Sequence, residues 1–278
     1  PMQNPFSILA ALGAIILWAL LAMTSKLLAG IPPFYQLSIA FFIGALPVLT
    51  GPSAFPPPRV LALGVAGLFG YHFFLFTAFR LAPPVEANLI NYLWPMFMVL
   101  LAPLFFSHAY LSRGHLFGAG LALVGVAILM SYQSVSFTAS SVAGYLSALA
   151  AALIWPVYSL LKSRTPQVAL KTTAGICLVA GALSLVTHSV TEVTPVPTLQ
   201  EWGLLLWLGV GPFGAAFYLW DFALKKGDPR LIGSLSYLTP VLSTVFLVFV
   251  ANQTATTATW VAMLLMTLGS LVGGRLSR

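Results

Sequence analysis

Asn88, Asn91 or Tyr92, and Pro95 fall on one face of a helix by their three-and-four spacing, inside a long apolar run. Side-chain amides in such a run need hydrogen-bond partners. Pro95 has no N–H to give the carbonyl of Asn91, so that oxygen is freed and the helix kinks. Trp94 sits beside this break as the wall of a cavity. Further along, Trp18, Tyr71, His72, Trp155, Tyr158 and Tyr237 fall near the middle of other apolar runs. Together these residues offer much ring surface, a few hydrogen-bonding groups and almost no fixed charge. That is binding chemistry. Rings hold rings by stacking and edge-to-face contact, and freed backbone groups can meet an amino and a carboxyl group. A mid-run Lys or Arg, which a phosphorylated sugar or nucleotide would want, is missing. So is the charged ring of a selective anion channel. His72 has no second His, Cys or acid at matching depth, so neither a metal site, a catalytic pair nor a bound cofactor is expected. A neutral structural imidazole bonded to a neighbouring helix, and a cavity-wall donor to a carboxylate or carbonyl, are both open to His72.

The elements that must position these side chains are membrane helices. Only 6% of the 278 residues are charged and 59% are hydrophobic, where a soluble domain carries about 25% charge. Ten apolar runs are long enough to span, at roughly 20 residues each. They lie near 6–27, 34–50, 60–79, 85–106, 113–131, 141–161, 168–187, 201–223, 230–250 and 258–275. None alternates as a barrel strand must. Cys177 is the only cysteine, which excludes an intrachain disulfide. The first run lacks a small-residue cleavage site and is expected to stay as a helix.

The net charge of +7 is a topology signal and not a sign of nucleic acid. Numbering the runs puts Arg59, Arg113, Lys162, Arg164, Lys171, Lys225, Lys226, Arg230, Arg275 and Arg278 on one side. Lys26 and Arg80 fall on the other. Basic residues stay on the cytoplasmic side, so both termini are expected there. Lys26 can anchor in the headgroups or line a cavity. Arg80 is expected to pair with Glu86, and Asp221 with Lys225 four residues on. A cytoplasmic gate is the sharper reading of Asp221. Trp202 and Trp207 fit an interfacial belt. Gly114, Gly118 and Ala122, answered by Gly269 and Gly273, are expected to be close helix-packing faces.

The chain also repeats itself at an offset of 145. Leu63-Gly64-Val65 matches Leu208-Gly209-Val210, Arg80 matches Lys225, Tyr92 matches Tyr237 and Pro95 matches Pro240. Two units follow, 1–139 and 140–278, each of five helices. An odd number turns the second unit upside down. Inverted repeats around a midplane site are the signature of alternating-access carriers, and Pro-interrupted helices in matching positions point to the binding site. The fold class is therefore an all-α integral membrane protein of ten transmembrane helices in two inverted repeats.

Ten spans in two five-span copies, short loops and the Asn91-Tyr92-Leu93-Trp94-Pro95 run resemble the drug/metabolite transporter superfamily, of the EamA type. Within it the likeness is greatest to bacterial aromatic amino acid exporters. The resemblance covers nearly the whole chain. It implies export of amino acids, aromatic and other apolar ones prominently, across the bacterial inner membrane. The central cavity would match Tyr71, His72, Tyr92, Trp94 and Trp155. The alternative is a multidrug or cationic-metabolite exporter of the same fold, which would want a carboxylate in the cavity. The expected partners are a small-molecule substrate and membrane lipids, with no nucleic acid, and the expected assembly is a monomer.

Overall fold

A computed structural model describes residues 5–47, 55–82, 87, 90–106, 110–131, 138–164, 170–249 and 256–275. All regular structure among them is helical, in ten helices. Helix α1 runs Pro5–Ala19 and resumes as Leu21–Leu27. Then come α2 (Pro33–Gly44), α3 (Pro58–Leu81), α4 (Trp94–Phe105), α5 (Arg113–Ser131) and α6 (Ala139–Arg164). The rest are α7 (Leu170–Thr191), α8 (Leu199–Lys226), α9 (Pro229–Leu235, resuming as Leu238–Phe249) and α10 (Thr257–Arg275). Each falls on one of the ten apolar runs. Among the described residues, four stretches, in α3, α6, α7 and α8, are long and apolar enough by length and composition to cross a bilayer unbroken. Several others are shortened by breaks.

The breaks have local causes. Pro95 lies in the first turn of α4, just after the Tyr92–Leu93 turn, where Leu93 N–H reaches only to Ile90, three residues back, at 3.1 Å. In α9 the same occurs ahead of Pro240: Tyr237 and Thr239 donate three residues back, to Ser234 and Ser236. Two π-helical turns, Ala66–Gly70 in α3 and Gly211–Ala215 in α8, stand 145 residues apart, at the offset of the sequence repeat.

Packing follows the same correspondence. Helix α1 packs on α8 and α9, and α8 on α2; likewise α6 packs on α3 and α4, and α3 on α7. Two four-helix groups result, α1-α2-α8-α9 and α3-α4-α6-α7. They meet where α2 faces α7, α4 faces α9 and α6 faces α8, while α5 and α10 pack on each other. Glycine permits the closest approaches. A methyl at Gly64 would collide with Ile176 of α7, and one at the matched Gly209 with Ile43 of α2. Gly269 lies against the Gly118 carbonyl and Ala122, so the small-residue faces of α5 and α10 do meet. The outer surface carries large apolar side chains, among them Leu104, Leu146, Val186, Leu206 and Leu264, as lipid contact requires.

Candidate functional site

Where the two four-helix groups meet, aromatic rings form one continuous cluster. Trp155 of α6 is its hub. Its ring centroid lies 5.4 Å from Trp18 (α1), 5.4 Å from Tyr71 (α3), 6.5 Å from Trp94 (α4), 5.6 Å from Tyr158 and 6.4 Å from Trp220 (α8). Trp18 stands edge-on to Trp220 at 5.2 Å. His72 extends the cluster toward Phe41 and Phe213, at 5.6 and 5.0 Å. Such pairs favour edge-to-face and offset geometry. Trp94, Trp155, Tyr158 and Trp220 are buried, whereas Trp18, Tyr71 and Tyr92 keep part of their surface open.

The polar atoms of these rings are mostly committed. Trp18 Nε1 donates to the Pro212 carbonyl at 3.1 Å, inside the α8 π-turn. Trp220 Nε1 donates to Ser159 Oγ at 3.1 Å. Asn91 Nδ2 donates to the Tyr71 hydroxyl at 3.1 Å, which leaves the buried Asn91 Oδ1 without a protein partner. His72 Nδ1 lies 2.7 Å from the Leu68 carbonyl of its own helix. A carbonyl can only accept, so Nδ1 carries the hydrogen of this bond. His72 therefore donates to its own backbone and not to another helix.

Of the residues singled out by sequence, Trp18, Tyr71, His72, Asn91, Trp94, Trp155 and Tyr158 are brought together here. Tyr92 sits partly exposed at the α4 break and Pro95 is buried in the turn beyond it. Tyr237 is buried with Met96, Ala119 and Ala122, toward α4 and α5 and away from the tryptophans. Asn88 and Glu86 lie outside the described residues, as does the side chain of Lys26. Phe41, Phe213, Phe217 and Trp220 belong to the cluster and escaped sequence reasoning. A signal existed: 213, 217 and 220 share a helix face, and Phe217 is the 145-residue counterpart of His72.

Charged groups lie at both ends of the cluster. Toward one end, Asp221 of α8 is held by Lys225 at 3.0 Å and by Lys162 of α6 at 3.5 Å. The expected Asp221–Lys225 pair is present, with a second lysine added from the other helix group. Toward the opposite end, Glu192 accepts the backbone N–H groups of Phe34 and Tyr35 at the start of α2, and His188 Nδ1 lies 2.8 Å from it. Arg80 lies 3.4 Å from this carboxylate. Glu192 is thus the acid that the described residues place beside Arg80; the expected partner, Glu86, lies outside them. Among the described residues, no three His, Cys, Asp or Glu side chains are grouped to hold a metal.

The cluster packs ring against ring, and beside it stand the unpartnered Asn91 oxygen and the interrupted α4 backbone. Known proteins of similar sequence and structure bear on what such a cluster serves. The chain is 38% identical to the aromatic amino acid exporter YddG of Ancylobacter novellus, over 287 aligned positions that cover the whole of both. It is 25% identical to the aromatic amino acid exporter YddG of Salmonella typhimurium over 200 positions, 68% of this chain and 66% of that one. A solved crystal structure, 38% identical, superposes with a TM-score of 0.90 over 99% of each chain. The family model of EamA-like transporters matches twice, over residues 5–131 and 142–273. With nearly its full length accounted for in this way, the chain belongs to the EamA-like transporter family.

Proposed function

We propose that this protein exports aromatic and other apolar amino acids across the bacterial inner membrane by alternating access. It is a multi-pass membrane protein, and the one-sided distribution of its basic residues supports a cytoplasmic position for both termini. Residues 1–139 and 140–278 act as two inverted five-helix repeats. The groups α1-α2-α8-α9 and α3-α4-α6-α7 rock about the ring cluster between them. The observation that carries the reading is the convergence of Trp18, Tyr71, Trp94, Trp155 and Trp220 beside the α4 break. An aromatic side chain is held there between ring faces, while Asn91 and its freed carbonyl meet the polar end.

A cationic-drug exporter would need an unspent carboxylate at the cluster. Among the described residues, Asp221 is the acid that approaches it, and two lysines already pair with that acid. This favours a zwitterionic substrate over a cation. The test is uptake of labelled Phe, Trp, Thr and Lys into liposomes containing the purified protein, with and without a proton gradient. Phe and Trp are expected to move fastest. Equal rates for all four, or preference for Lys, would overturn the reading.

A further inference from the structure

Among the described residues, Lys162 is a buried ammonium that stands at the edge of the ring cluster. Its side chain is only 8% exposed, although it stands in the last turn of α6 among residues that sequence assigns to the cytoplasmic side. It donates to Thr173 Oγ1 of α7 at 3.1 Å and lies 5.6 Å from the centre of the Tyr158 ring. Tyr158 in turn touches Trp155, so the ammonium stands one ring away from the hub of the cluster.

Its carboxylate partner is poorly made. Asp221 Oδ1 comes no closer than 3.5 Å and forms no hydrogen bond, whereas Oδ2 is bonded to Lys225 at 3.0 Å. Lys225 is four residues from Asp221 on α8 and moves with it. Lys162 belongs to the other helix group. One acid therefore serves two bases, and its weaker link is the one that crosses between the groups. When the inner ends of α6 and α8 part, Asp221 keeps Lys225, while Lys162 keeps Thr173 and Tyr158 but loses its counter-charge in a partly apolar setting. A carboxylate entering from that side restores the pair.

We infer that Lys162 receives the substrate's carboxylate at the cytoplasmic mouth, and that Asp221 occupies that place when the mouth is closed. Substrate and Asp221 then compete for one ammonium, so filling the site releases the cross-group link. This rests on the amino acid reading above.

The test compares phenylalanine with phenylalaninamide, which keeps the ring and the ammonium but lacks the carboxylate, in liposomes of full-length protein. Lys162→Gln is expected to raise the KM for phenylalanine on the order of tenfold, as loss of a charge-assisted bond does, and to leave that for the amide unchanged. Asp221→Asn keeps the ammonium and removes its competitor. It is expected to lower the KM for phenylalanine severalfold, and it reads the same competition should Lys162→Gln fail to insert. Equal shifts for both solutes, or none, overturn the carboxylate assignment and leave amino acid export standing. A wild-type protein that carries no phenylalanine overturns export itself, and the assignment with it.

Discussion

The indole Nε1 of Trp18 donates to the carbonyl of Pro212, 194 residues away, at 3.1 Å. The bond ties α1 to the widened turn of α8 and fixes the plane of a ring that stands between Trp155 and Trp220. Trp18→Phe keeps a ring and removes the donor. Loss of one such bond costs about 1 kcal/mol, so thermal unfolding in detergent is expected to shift modestly downward. The KM for aromatic substrates is expected to rise as the ring loosens.

Trp94 tests the cluster more directly. It is buried against Trp155 and Trp220 and hydrogen-bonded to neither. Trp94→Ala is expected to impair aromatic amino acid transport on the order of tenfold, the effect of lost ring contact, and to impair membrane insertion less. Full transport by correctly inserted mutant protein in liposomes would remove Trp94 from the site.

Gly67 and Gly70 lie in one π-turn and make a matched pair. A methyl at Gly67 would run into the Tyr158 ring; one at Gly70 meets open space. Gly67→Ala is expected to destabilise by about 1–3 kcal/mol, as overpacking does, and to displace Tyr158 from Trp155. Gly70→Ala is expected to be neutral or stabilising. Unfolding midpoints of the two variants in the same detergent decide the matter.

Asp228, in the turn between α8 and α9, gives a pH signature. Burial pushes its carboxyl up, but hydrogen bonds from the Arg230 side chain and amide outweigh that and hold it below the ordinary aspartate value. A carboxyl depressed on folding stabilises above its unfolded pKa, and the benefit is lost as pH falls through the folded one. Asp228→Asn is therefore expected to lower the unfolding midpoint at pH 7 and to have no effect well below pH 3.8.

The ten helices were legible because each is an apolar run closed by prolines, glycines or charges, and Pro95 and Pro240 marked the matched breaks of α4 and α9. The cluster was legible where a large ring fell at mid-helix in isolation, as with Trp18, Trp94 and Trp155. Trp220 escaped because distance along a helix gives depth, not the neighbour it faces. Lys162 escaped for the same reason: counting charges assigned its side, while its burial comes from Thr173, Tyr158 and Asp221, all on the second half of the chain. The pairing of Arg80 with Glu192 spans 112 residues, and local spacing could point only to Glu86.

With the hydrogens of both Trp18 and Trp220 already spoken for, these two indoles have only faces and edges to offer a guest's ring. They read flatness and girth. Under the export proposed above, phenylalanine, tyrosine and tryptophan are expected to be carried as near equals, which would make the protein a broad relief valve rather than a dedicated route for any one of them.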